Sequence, residues 1–239
     1  MEFKKLIDRT KETDRIKSAL HRDSTQFIVV YGRRRIGKST LIKHIVNAQE
    51  HAVYFLSDTS AETVQRAAFA KSVAEVIEGF DKVVYPDWES LFRSLNNQLS
   101  ERILVCMDEF PYLVKSCETL PSVIQKLLNE KMLKFDLLLC GSSQQLMHGY
   151  VLNRQSPLYG LANEIIKMRP IAAQYMSEAM ECDASQAVEE FAIWGGVPRY
   201  WELRRDYPDK ETAIRKVLLD PQGPLMEEPQ RLLRDDMRD

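Results

Sequence analysis

The segment Gly32-Arg33-Arg34-Arg35-Ile36-Gly37-Lys38-Ser39 constrains this chain more than any other. It fits the pattern Gly-x-x-x-x-Gly-Lys-Ser/Thr, and it stands between an apolar run, Gln26 to Tyr31, and a helical pattern from Ser39 to Gln49. Strand before and helix after is the context that separates a phosphate-cradling loop from a chance match. Gly32 and Gly37 permit backbone shapes and a close approach that a side chain would block, so the N–H groups of the loop, through Arg35 and Ile36, can turn inward on a β-phosphate. The helix opening at Lys38 adds its N-terminal dipole behind the same phosphates. Lys38 is expected to bridge the β- and γ-phosphates, the Ser39 hydroxyl to ligate Mg²⁺, and Thr40 to lie near the α-phosphate. For Arg33, Arg34 and Arg35 two readings stand: a guanidinium lent to a nucleotide phosphate or a neighbouring subunit, or solvated positions pointing away. The second is favoured, because the backbone of such a loop does the binding.

A loop of this kind needs a sheet to stand on. Short runs rich in Val, Ile and Leu alternate with stretches of helical spacing through the first two thirds of the chain, the signature of a parallel sheet wrapped by helices. The expected strands are Gln26 to Tyr31, Ala52 to Ser57, Arg102 to Asp108, Asp136 to Gly141 and Glu164 to Met168. Most are unbroken apolar runs, which suits strands buried on both faces. Further helical patterns fall at Arg9 to His21, Ala61 to Glu78, Trp88 to Gln98, Pro121 to Lys134 and Gln144 to Tyr150. After Arg169-Pro170 the β-rich runs stop. Ala172 to Met180, Ser185 to Trp194, Arg199 to Asp206, Lys210 to Leu219 and Leu225 to Met237 read as helix, with Gly195-Gly196-Val197-Pro198 as a turn. A boundary near Pro170 divides the chain into an α/β domain, 1–169, and a helical domain, 170–239. The helical pattern still runs at Asp239 without a Gly or Pro stop, as expected of a chain that continues.

Ile103-Leu104-Val105-Cys106-Met107-Asp108-Glu109 is an apolar strand ending in two acids. Strand ends on one edge of a parallel sheet gather at the ligand crevice. Behind a phosphate loop this is the form of a Walker B motif: Asp108 would hold Mg²⁺ through its water shell, and Glu109 would polarise the water that attacks the γ-phosphate. Glu109 thereby points beyond binding to hydrolysis, with Lys38 as the other catalytic candidate. The strand Asp136 to Gly141 runs into Ser142-Ser143, where two readings stand level: a hydroxyl sensing the γ-phosphate, or an N-cap for the next helix.

Composition narrows the rest. At 239 residues, 44% hydrophobic and 28% charged, the chain suits one large α/β domain or a domain with a companion, and is unlike disordered or fibrous chains. Its 33 basic and 35 acidic residues leave a formal charge of -2, without the surplus of a non-specific nucleic-acid binder, although a local basic patch stays open. No apolar run nears the roughly eighteen residues that span a bilayer, and charges interrupt Met1 to Asp8 where a secretory signal would be apolar. The expectation is a cytoplasmic protein with no membrane partner. Cys106, Cys117, Cys140 and Cys182 form no Cys-x-x-Cys pair and read as reduced, mostly buried thiols. His21, His44, His51 and His148 lack metal-ligand spacing. Trp88, Trp194, Trp201 and Tyr200 read as packing in preference to base stacking.

The residues resemble a known group, the archaeal-type P-loop ATPases of the AAA+ and STAND superfamily. The resemblance rests on Leu6-Ile7-Asp8-Arg9 with Glu12 and Leu20, Val30 through Ser39, Met107-Asp108-Glu109-Phe110, Cys140-Gly141-Ser142-Ser143, Ser156-Pro157-Leu158-Tyr159-Gly160 and Trp194-Gly195-Gly196-Val197-Pro198-Arg199-Tyr200. It implies a P-loop NTPase core with a five-stranded parallel sheet in the order 5-1-4-3-2, followed by a helical lid. It also implies that Arg9 lies near the adenine or ribose, that Pro198 packs against the base, and that a winged-helix and nuclease-like extension follows. One departure stands out. The family commonly reads Leu-Tyr-Gly-Arg where this chain has Leu158-Tyr159-Gly160-Leu161, so transition-state charge would come from Arg154, Arg169, Arg199 or a partner, or hydrolysis would be slow.

The leading expectation is an ATP-binding, Mg²⁺-dependent hydrolase acting as a nucleotide-driven conformational switch. Two alternatives stay open: a slow or non-hydrolysing scaffold bound to ATP or ADP, and a small-molecule kinase. Expected partners are ATP or ADP, with a protein partner or self-association, and DNA with weaker support.

Overall fold

The computed structural model describes residues 6–236. The strands are β1 Phe27–Tyr31, β2 Ala52–Leu56, β3 Leu104–Asp108, β4 Asp136–Gly141 and β5 Glu164–Lys167. Among the described residues these five pair in parallel as one sheet, in the order β2-β3-β4-β1-β5. This is the order the resemblance implies, counted from the other edge. The three inner strands, Phe-Ile-Val-Val-Tyr, Leu-Val-Cys-Met-Asp and Asp-Leu-Leu-Leu-Cys-Gly, are buried along nearly their whole length, because helices cover both faces. The edge strands β2 and β5 instead alternate between buried and more exposed positions.

The chain forms two compact units: Thr10–Gly32 with Lys38–Met168, and a second that comprises, within the described residues, 6–9, 33–37 and 169–236. The first holds the sheet with helices α1 Thr10–Leu20, α2 Lys38–Val46, α3 Glu62–Ala74, α4 Trp88–Gln98, α5 Phe110–Ser116, α6 Leu120–Asn129 and α7 Gln144–Met147, which loosens into a π-turn over His148–Leu152. Helix α5 is one the sequence patterns miss. It is only seven residues long, too short for periodicity to register, and begins at Phe110-Pro111 directly behind the acid pair. Helix α6 ends short of Lys134 because Lys131 turns the chain at φ 50°. The core is strongly aromatic: Phe69 meets Phe55 and Trp88 edge-on at 5.5 and 5.6 Å between ring centroids, the arrangement ring quadrupoles favour.

In the second unit a 3-10 turn at Ala173–Tyr175 leads into α8 Met176–Met180, then α9 Ala184–Trp194, α10 Pro198–Arg205, α11 Lys210–Ala213 with a π-turn over Ile214–Leu219, and α12 Glu228–Asp236. Met237, where the last helical pattern was expected to end, lies outside the described residues. Asp183 opens α9 with a capping box, its carboxylate accepting from Gln186 N while the Gln186 side chain accepts from Asp183 N. A separate apolar cluster around Met176, Trp194, Trp201 and Val217 holds the unit together. Gly196 is required in the turn between α9 and α10: Ile171 N donates to Gly196 O at 2.7 Å, and a Cβ on Gly196 would sit 2.0 Å from Ile171 O. No helix of the described residues is long and apolar enough to cross a membrane.

Candidate functional site

Strand order decides which side chains meet. Because β3, β4 and β1 are neighbours, their carboxyl ends bring Asp108-Glu109, Ser142 and Gly32 out side by side. Asp108, the last residue of β3, is 0% exposed. A buried carboxylate is costly unless donors surround it, and here they do. Its Oδ1 accepts from Glu109 N at 2.9 Å and its Oδ2 from the Tyr54 hydroxyl at 2.8 Å. The Cys140 thiol, on neighbouring β4, feels its charge. Burial first, then the Asp108 charge, push that thiol well above its usual range, while the Lys38 ammonium opposes them. Lys38 opens α2, is itself buried, and so bears on the same spot as Asp108.

Glu109 holds a left-handed backbone, φ 54°, as the residue before α5. A non-glycine residue there is strained and turns its side chain away from the strand direction. Its carboxylate accepts from Ser142 Oγ at 2.9 Å and from Ser142 N at 3.3 Å. Ser143 instead accepts from Leu146 N and caps α7. Of this serine pair, Ser143 takes the N-cap and Ser142 faces Glu109.

Within the second unit, the loop residues 33–37 meet Arg9 and the start of α10. A Cβ at Gly37, whose φ is 89°, would lie 3.9 Å from Pro198 Cγ. Arg9 is buried and donates to Ile36 O at 2.9 Å and Arg169 O at 3.0 Å. Arg35 is exposed, as favoured for it, and has a partner as well. Its backbone is left-handed at φ 67°, and its guanidinium pairs with Glu228 at 2.8 Å. The Tyr200 hydroxyl donates to the same Glu228 at 2.9 Å, and burial followed by that carboxylate pushes the Tyr200 phenol up to about 12. Arg33, Arg34 and Thr40 are exposed.

Leu161, standing where an arginine is common, packs half-buried against the core of the sheet unit. Arg154 and Arg169 are exposed, and Arg199 pairs with Glu202 at 3.0 Å. Among the described residues no cluster of three His, Cys, Asp or Glu side chains converges as a metal cage. Magnesium does not need one: it is held by one or two carboxylates together with substrate phosphates. The Tyr54 hydroxyl reaches Asp108 at 2.8 Å and the Ser39 hydroxyl bears on the same phenol, so these two hard oxygen donors fit such an ion. Tyr54 was not singled out from the sequence. The available signal was a hydroxyl inside an apolar strand, which needs a partner. Glu228, inside the helical pattern from Leu225, carries no local sign of its partners Arg35 and Tyr200.

Residues 6–202 match the family described as ATPase domains predominantly from Archaea. An uncharacterised protein of Methanocaldococcus jannaschii is 32% identical over 218 residues, covering 88% of this chain and 47% of that protein. The chain therefore spans about half the length of the curated relative it matches. Among solved structures, the ORC1 protein of Aeropyrum pernix in complex with DNA matches 97% of this chain and 67% of its own, at 15% identity and a TM-score of 0.60. The Thermotoga maritima RuvB Holliday junction branch migration motor matches 97% of this chain and 78% of its own, at 12% identity and 0.56. These two are likenesses of fold, that of AAA+ P-loop ATPases.

Proposed function

This chain belongs to the family of ATPase domains found predominantly in Archaea, and from that premise we propose that it binds ATP, hydrolyses it with Mg²⁺, and turns nucleotide state into a conformational change. The observation that carries this reading is the Glu109 carboxylate, held at 2.9 Å by Ser142 beside the buried Asp108 at the ends of adjacent strands. A general base must be aimed and must keep its charge, and the Ser142 hydroxyl does the aiming.

Lys38 meets the β- and γ-phosphates, with the loop amides from Gly32 through Arg35, Ile36 and Gly37 around them and Thr40 toward the α-phosphate. Ser39 would ligate Mg²⁺ and Asp108 would hold it through its water shell, and the ion would draw charge from the phosphate oxygens. Glu109 orients water on the γ-phosphate, and Ser142, sharing its hydroxyl with Glu109, registers whether that phosphate is present. Arg9, which holds Ile36 O, and Pro198 are the residues that the family resemblance assigns to the nucleoside.

Phosphate release tests the reading. Glu109→Gln should keep ATP affinity and lose turnover by about 10²–10⁴-fold, the usual worth of a positioned base, and Lys38→Ala should lose nucleotide affinity. Turnover by Glu109→Gln at the wild-type rate would overturn it.

A second reading rests on Leu161, whose packed side chain supplies no positive charge: the chain stays bound to ATP or ADP and serves as a scaffold. Tightly held ADP with no steady release of phosphate would decide for it. DNA, bound in the ORC1 structure similar in fold, and a second copy of the chain are the candidate partners; binding to DNA that weakens steeply with salt would support the first.

A further inference from the structure

Tyr54 lies in the middle of β2, level with Cys106 on β3, while Asp108 lies two residues further along. Two residues of strand are about 6.6 Å, close to the reach of a tyrosine side chain, and the hydroxyl arrives at Asp108 Oδ2 at 2.8 Å. The ring is steadied from α2, where Lys43 Nζ stands 5.4 Å from its centroid.

The hydroxyl has one hydrogen and two lone pairs, and an ionised carboxylate can only accept. The Tyr54 hydrogen is therefore committed to Asp108 at 2.8 Å, so toward the Ser39 hydroxyl, which bears on the same phenol, its oxygen can only accept. The order this sets is Ser39 O–H toward Tyr54 O–H toward Asp108. A serine that ligates a cation must offer a lone pair and dispose of its hydrogen elsewhere. Tyr54 takes that hydrogen and leaves the Ser39 lone pairs free, and the same hydroxyl fixes the orientation of the Asp108 carboxylate.

We infer that Tyr54 is a positioning residue for the divalent cation, acting through Ser39 and Asp108 and touching neither nucleotide nor metal. The inference rests on the reading of Ser39 and Asp108 as the metal site. Outer-shell partners of this kind typically change metal affinity by about 10–100-fold.

The test is Mn²⁺ binding to the full chain saturated with ADP, followed by water-proton relaxation, alongside ADP affinity in EDTA. Tyr54→Phe keeps the ring over Lys43 and removes only the hydroxyl. It should weaken Mn²⁺ binding by about tenfold or more with ADP affinity in EDTA unchanged, and should add no further loss in a Ser39→Ala background. Unchanged Mn²⁺ affinity in Tyr54→Phe, or an equal loss of ADP affinity without metal, overturns the inference while leaving the metal site standing. If Ser39→Ala alone leaves Mn²⁺ affinity intact, the metal-site reading falls and Tyr54 falls with it.

Discussion

Burial at a single residue sets chemistry that the residue type leaves open. Cys106 and Cys140 are both 0% exposed on inner strands, and burial followed by the Asp108 charge raises both thiols above their usual range. Only thiolate reacts with an alkylating agent. Iodoacetamide at pH 8 should therefore label the half-buried Cys117 in the native protein, Cys182 more slowly because burial and then Glu190 raise its thiol too, and Cys106 and Cys140 only after unfolding, as read by peptide mass spectrometry. Gly196 is a second residue whose identity is forced. Its Cβ would overlap Ile171 O, a backbone atom that cannot swing aside. Gly196→Ala should cost about 3 kcal/mol, the upper end for overpacking, and lower the thermal midpoint. The glycine pair was visible as a turn in the sequence, but nothing there named Ile171 as the neighbour that excludes a side chain.

Among the elements, helix ends carry a pH signature. Asp87 caps α4 by accepting from Ser90 N at 2.7 Å, and that hydrogen bond holds its carboxyl below the usual range. A carboxylate depressed on folding stabilises the native state above its unfolded pKa, near about 3.9, and loses that effect as pH falls through the folded value. Asp87→Ala should cost about 1 kcal/mol at pH 7, and the gap between variant and wild type in urea midpoint should close below about pH 4. Inner strands and long helices were legible because unbroken apolar runs and helical spacing are local signals. Helix α5 was not, since seven residues cover barely two turns and its packing is made against β4, α3 and α6, which are distant in sequence or not yet placed by it. The ion-pair partner of the exposed Arg35 was not legible either, because Glu228 is nearly two hundred residues away at the start of α12.

For the whole molecule, ligand linkage offers the broadest check. A ligand that binds only folded protein stabilises it by about 2.7 kcal/mol at a hundred times its Kd. ADP at that excess should raise the wild-type thermal midpoint and leave that of Lys38→Ala unmoved, measured with and without EDTA. The sequence by itself determined the α/β class, the phosphate loop, the acid pair and the change to helices after Arg169, since each is written in neighbouring residues. Tertiary structure alone decided that Tyr54 joins Ser39 to Asp108, that Ser142 and not Ser143 faces Glu109, and that the loop residues 33–37 pack with the helices after Arg169. Those pairings depend on strand order and on side chains meeting across long stretches of chain, and spacing along a sequence carries no distance between residues so far apart.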